Sequence, residues 1–269
     1  MLIDAHTHLN LEDLFVDRKT HLSNFQAVGG KILVNAGAHS DYNQKGILIA
    51  QEAKHLFPEL IVKATVGFHP EDTPLQKEGE KGVHELLDEL EQQYLNHKEE
   101  VIAIGECGID LHTKTANLVH QQELFRLHAE LAHKFQLPLV VHSRDAFKET
   151  LEILKDFRDL KIYFHCRGYG AKEVHIIEKL FPEVWLGFTN ILTYPNAHLT
   201  TSSFLAIKKA KRLLETDAPF LPPQAFRGKM NFPEYITYGY TRGAQLLGMA
   251  EETLEKQVAE NFFMLFPAI

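Results

Sequence analysis

The sequence predicts a (β/α)8 TIM barrel forming a single domain over residues 1–269. Three observations predict it. Eight short apolar, β-like runs follow one another along the chain, and helix-like stretches separate them. The 269-residue length suits one barrel, since such folds typically run to about 250 residues. Strands that alternate with helices pair in parallel, and eight repeats at this length favour closure over an open sheet.

The runs, in order, are Leu2–Ala5, Ile32–Asn35, Ile61–Val66, Val101–Ile104, Leu139–Val141, Ile162–Phe164, Val184–Phe188 and Arg212–Leu214. Between the fourth and fifth, Leu124, Leu127, Leu131 and Phe135 recur at helical spacing. Two helical patterns, Pro233–Leu247 and Ala250–Phe266, close the chain, and the second opens on acidic residues suited to a helix N-terminus. Before them lies a Pro- and Gly-containing loop, Ala218–Phe232, of a length often used for function.

Composition narrows the function. With 45% hydrophobic residues the chain can bury a sizeable core. A net charge of -8, from 36 acidic against 28 basic residues, disfavours a wide grip on a phosphate backbone. It is compatible with a metal site, where bound cations supply the positive charge a phosphate needs. Only two cysteines are present, Cys107 and Cys166, which is no disulfide framework and fits a reducing cytosol. The opening MLIDAHTHL carries no basic leader, and no apolar stretch reaches about 18 residues, so a cytoplasmic protein with no membrane contact is expected.

The chemistry-bearing residues sit after the runs. His6 and His8 follow the first, two apart and therefore on one strand face, with Cα atoms roughly 6.6 Å apart. An HxH pair alone is a weak signal. Glu106 follows the fourth run, His142 the fifth, His165 the sixth and Asp217 the eighth. Barrel enzymes place their chemistry at this end of the strands. A buried imidazole or carboxylate without a partner is costly, and six at matching strand ends point to a shared partner. Four His and two carboxylates exceed the needs of one tetrahedral zinc with an open position. They suit two divalent metals about 3.5–4 Å apart, with Glu106 as the bridging carboxylate. Mg²⁺, Mn²⁺ and Zn²⁺ all accept such mixed N/O ligands. The P-loop, GxGxxG and GxSxG patterns are absent.

With these residues in place, the chain resembles the TatD-type metal-dependent deoxyribonucleases of the amidohydrolase superfamily. The matching stretches are IDAHTHL (3–9), GFHPED (67–72), IGECGID (104–110), LPLVVHSRDA (137–146), FHC (164–166), ETDAP (215–219) and RGKMNFPEY (227–235), with VAENFFMLF (258–266) at the end. The resemblance implies a barrel that hydrolyses DNA phosphodiesters, often from the 3′ end, and the same six ligands. Glu106 stands where many amidohydrolases carry a carbamylated lysine, which follows the TatD pattern. Three places depart from it. Arg167-Gly168-Tyr169 replaces the usual Phe-Ser-Gly, Leu111-His112 stand where aromatics are common, and Met230 and Phe232 replace a basic and an acidic residue. All lie on the substrate side and bear on substrate preference.

Further residues are candidates for substrate contact. His69, after the third run, is placed to hydrogen-bond a phosphate or a bound water. Arg144 offers a planar fork of donors to a phosphate oxygen, or a salt bridge to Asp145 or Asp110. Arg167, Arg227 and Lys229 are loop cations with solvated surface as the alternative. Asp110 is placed to orient a ligand or to cap a turn, and Glu215 to position an Arg or a ligand. Tyr194, Phe220, Phe226 and Phe232 are loop aromatics able to stack bases or to pack the loops. His128 and His133 receive no role. The expected chemistry is metal-assisted hydrolysis, with Asp217 as both ligand and general base. The substrate partner expected is a DNA end, and no protein partner or oligomeric state is implied. Alternatives with the same site are a lactonase, esterase or phosphotriesterase, or a metal-binding barrel without catalysis.

Overall fold

A computed structural model describes residues 1–71, 82–112, 117–166, 168–208, 211–267 and 269. Eight parallel strands form one sheet in the order of the chain. They are β1 (Leu2–Thr7), β2 (Gly30–Asn35), β3 (Ile61–Val66), β4 (Val101–Asp110), β5 (Leu139–Arg144), β6 (Ile162–Phe164), β7 (Val184–Phe188) and β8 (Arg212–Leu214). All eight expected runs are strands, but four reach further. β1 extends to Thr7, β2 begins at Gly30, β4 runs on to Asp110 and β5 to Arg144. His6, Glu106 and His142 therefore lie within strands rather than after them.

The reason for the long β4 is visible in its glycines. Every residue of β4 is buried, and it runs hard against β5. A Cβ on Gly105 (φ 130°) would meet the Val140 carbonyl oxygen at 2.5 Å, and one on Gly108 (φ 145°) the His142 carbonyl oxygen at 1.9 Å. Only glycine tolerates both the positive φ and the approach. The polar-looking GECGID is thus strand.

Helices fill the connections: α1 (Glu12–Phe15), α2 (Arg18–Ala27), α3 (Ser40–Leu56), α4 (Val83–Asn96), α5 (Leu118–Phe135), α6 (Phe147–Leu154), α7 (Ala171–Leu180), α8 (His198–Ala206), α9 (Ile236–Leu247) and α10 (Glu251–Leu265). On α5 the expected stripe is only partly right. Leu124 and Leu131 are buried, Leu127 and Phe135 only half so, and His128 lies wholly buried on the same face. Trp185, Tyr163, Phe164 and Phe188 on β6 and β7 are among the large side chains of the core. No helix among the described residues is long and apolar enough to cross a membrane.

The barrel closes without a regular β1–β8 ladder. Asp217 N donates to His6 O at 2.9 Å and His8 N donates to Ala218 O at 2.7 Å, at the end of β1 and just beyond the end of β8. Below them, Asp4 accepts from Thr216 N at 2.8 Å and from Thr216 Oγ1 at 2.5 Å. The seam is therefore made by the candidate ligands His6, His8 and Asp217 and by residues next to them in sequence.

Candidate metal centre

The six expected ligands converge at the C-terminal ends of β1, β4, β5, β6 and β8, and the two oxygens of Glu106 divide them. On the Oε2 side, His6 Nε2 lies at 3.2 Å and His8 Nε2 at 3.4 Å. Those two nitrogens are 3.2 Å apart. Asp217 Oδ1 is 3.6 Å from His6 Nε2 and 3.4 Å from His8 Nε2. N/O ligands at about 2.0–2.2 Å from a tetrahedral centre stand roughly 3.3–3.6 Å from one another. The donors on this side therefore fit a metal ion in both chemistry and spacing. On the Oε1 side, His165 Nε2 lies at 2.5 Å and His142 Nδ1 at 2.9 Å, with 3.2 Å between the two nitrogens. His6 and His165 stack across the centre with ring centroids 4.0 Å apart.

Two supporting contacts fix which nitrogen faces inward. His142 Nε2 lies 2.8 Å from Asp110 Oδ2, so its proton goes to that carboxylate and Nδ1 is the nitrogen turned to the centre. His69 Nδ1 accepts from Glu71 N at 3.2 Å, which leaves the Nε2–H of neutral His69 pointing inward. That nitrogen is 3.3 Å from His142 Nδ1 and 3.5 Å from Glu106 Oε1. The arrangement makes His69 a donor, consistent with contact to a phosphate or water.

Electrostatics follow from crowding titratable groups away from water. Burial alone would neutralise Glu106, but the imidazoles of His165, His69 and His6 outweigh it and hold the carboxyl well below its usual range. Asp217 is held down similarly, burial being outweighed by His8, His165 and His6. Burial opposes a charge on His8, yet Asp217 and Glu106 push it up to about 10. His142 is likewise pushed up to about 9 by Asp110 and Glu106 against its burial. For His6 burial prevails, aided by His165, and the value falls to about 4.

The remaining expected residues sort as follows. Arg144 is exposed and makes no ion pair among the described residues, so neither salt bridge considered from the sequence is formed. Arg227 is exposed and packs its guanidinium 5.0 Å from the Tyr194 ring centre. Lys229 is exposed. Arg167 lies outside the described residues. Glu215 accepts from Cys166 N at 2.5 Å and from the Tyr163 hydroxyl, anchoring the turn after His165. Phe232 stacks on His21, its centroid 5.1 Å away, and Phe226 stacks on Tyr235 at 4.5 Å; both pack the loop. Met230 is exposed, and the Tyr169 hydroxyl contacts Ser143 Oγ at 3.0 Å and accepts from Ala146 N at 3.2 Å.

Several contributors were missed. His128 Nε2 accepts from Phe68 N at 3.0 Å while Nδ1 donates to Leu124 O at 2.7 Å, fixing the backbone next to His69. Its place on the apolar face of α5 was the signal, because a buried imidazole needs partners. Asp4 shares the alternation that pairs His6 with His8. Asn231 is fully buried and its Nδ2 donates to Thr216 O at 2.8 Å and Phe220 O at 2.7 Å, pinning the loop that carries Asp217.

Comparison with known proteins gives a consistent answer. The model of the family described as TatD related DNase matches residues 3–267. An uncharacterized metal-dependent hydrolase of Mycoplasma genitalium is 31% identical, with 98% of each chain covered. Another, from Bacillus subtilis, is 29% identical with 99% of each covered. Among solved structures, a TatD homolog from Escherichia coli superposes with a TM-score of 0.88 at 23% identity, covering 99% of this chain and 98% of the other. A hydrolase TatD family protein from Entamoeba histolytica gives 0.84 at 20% identity, covering 98% and 97%. Sequence and architecture agree over nearly the whole length: the chain belongs to the TatD family of metal-dependent hydrolases.

Proposed function

We propose that the protein is a two-metal deoxyribonuclease that removes nucleotides from a 3′ DNA end. The observation that carries the two-metal reading is the division of donors by Glu106. Oε2 faces His6, His8 and, through them, Asp217, while Oε1 faces His142 and His165. The family's DNase description supports the nucleic-acid substrate. The acidic balance of the chain favours engaging an end over gripping a long duplex.

Two divalent ions, Mg²⁺, Mn²⁺ or Zn²⁺, would supply Lewis-acid polarisation of the phosphate and ease deprotonation of water. His6, His8 and Asp217 would hold one, His142 and His165 the other, with Glu106 shared. The residues do the rest. Asp217 takes the proton of the attacking water as its oxygen bonds to phosphorus. The P–O bond to the 3′ oxygen of the shortened strand breaks as that bond forms. His69 donates its Nε2–H to a phosphate oxygen, and Arg144, Arg227 and Lys229, with Arg167, neutralise charge that builds there.

The test is an assay on end-labelled linear and circular DNA, single- and double-stranded, with each metal and with EDTA. Stepwise loss of the 3′ label from linear strands, abolished by EDTA, is expected. Equal cleavage of circles would remove the exonuclease part. Turnover of a lactone or carboxylic ester with no cleavage of DNA would replace the substrate.

A further inference from the structure

Phe220 stands apart from the other aromatics of the β8 loop. Phe226 and Phe232 are packed against neighbours, whereas Phe220 leaves about half of its surface, 51%, in solvent. Its ring approaches a candidate ligand, with the centroid 6.1 Å from that of His8 at an interplanar angle of 74°. The edge-on contact with one neighbouring ring leaves much of the phenyl accessible.

The backbone that carries the ring is also held in place. Ala218 N donates to Thr216 Oγ1 at 3.2 Å, and Phe220 N donates to Asp217 O at 2.9 Å. Asn231 grips the Phe220 carbonyl at 2.7 Å and the Thr216 carbonyl at 2.8 Å, and its own N–H donates to Pro219 O at 3.0 Å. The buried Asn231 thus fixes Asp217 and Phe220 as one unit. An exposed aromatic on a rigid backbone loses little entropy when a planar partner settles on it.

We infer that Phe220 is the stacking surface for the nucleobase next to the scissile phosphate, and so a specificity-determining residue for base-bearing DNA ends. The inference rests on the nuclease reading above. A base has a π-face whatever its identity, so this contact selects for the presence of a base and not for its sequence. Removing such a stack typically costs on the order of 10- to 100-fold in affinity.

The experiment compares 3′-labelled single strands carrying a normal base or an abasic site at the last or the next-to-last nucleotide. The metal-loaded wild type and Phe220→Ala, Phe220→Leu and Phe220→Trp variants are assayed for kcat and KM. A second readout is the fluorescence of 2-aminopurine placed at the same positions, which reports stacking on binding. Wild type should prefer base-bearing ends by about 10- to 100-fold, expressed in KM. Phe220→Ala and Phe220→Leu should collapse that ratio toward one and lose the fluorescence change, while Phe220→Trp keeps both. Discrimination that survives in Phe220→Ala, or is absent from wild type, overturns the stacking role and leaves the nuclease reading standing. Wild-type protein that cleaves no DNA with any of the metals overturns the nuclease reading itself.

Discussion

The two halves of the centre are held by different means. Around Glu106 Oε2, His6, His8 and Asp217 are positioned through the main chain, by Asp217 N on His6 O and His8 N on Ala218 O. His8 Nδ1 is buried with no hydrogen-bond partner among the described residues. Around Oε1, groups outside the ligand set position the imidazoles of His142 and His69. Asp110 orients His142, Glu71 N sets the tautomer of His69, and His128 fixes the peptide before it. Exposure does not separate the halves: His142 and His165 are 15% and 3% exposed, and His6, His8 and Asp217 are 1%, 7% and 11%. The first half is therefore tied to the integrity of the barrel, and the second can be tuned by single side chains.

The largest effect should come from the first half. Asp217→Asn keeps the shape and one oxygen but accepts no proton, so kcat should fall about 10²–10⁴-fold. The backbone tolerates the change, since Asp217 sits at φ 57°, a region asparagine shares. Steady-state kinetics alongside metal content check this; near-normal turnover with full metal occupancy would move the base elsewhere.

Asp110→Asn probes the second half. It should weaken one metal site by about 10–100-fold and leave the other alone. Titration with Mn²⁺ or Zn²⁺ resolves the two steps. Equal weakening of both would abolish the contrast between the halves. The double variant His6→Ala with His8→Ala should do the reverse, lowering metal stoichiometry by mass spectrometry through loss of the other site.

Protons give a smaller, graded effect. In the metal-free protein His8, pushed up to about 10, and His142, pushed up to about 9, are protonated at neutral pH. Both must shed the proton to ligate, so affinity rises with pH up to those values and falls as pH is lowered, by about tenfold per unit for each proton released. Calorimetry at pH 7.5 in buffers of different ionisation heat should show proton release on metal binding. A binding enthalpy independent of buffer would contradict the assignment.

The smallest change is expected from Tyr169→Phe, which removes the hydroxyl shared by Ser143 and Ala146. About 1 kcal/mol of stability should be lost, or about 2–4 °C in Tm for a chain of this size.

Much of this was legible from the sequence, and the gaps have physical causes. Strand positions followed from apolar runs, and the six candidate ligands from polar residues at their ends. The extents of β4 and β5 were not legible, because GECGID and HSR look like loop until the glycines are seen against Val140 and His142. His128 and Asn231 escaped because their roles are hydrogen bonds to backbone atoms distant in sequence. The Arg144 alternatives were open for the same reason, since an exposed guanidinium and a salt-bridged one read alike.

The seam between β1 and β8 has one more consequence. Its hydrogen bonds are made by residues that also face the centre, so opening the barrel there and dispersing the donors of His6, His8 and Asp217 are a single event. A ligand bound only by the closed form stabilises it by about 2.7 kcal/mol at a hundredfold excess over its Kd. Metal would act as a rivet between the first and last strands of the sheet order. Chelation should then speed amide hydrogen exchange first at His8 and Asp217, while the amides of β4 and β5 keep their protection.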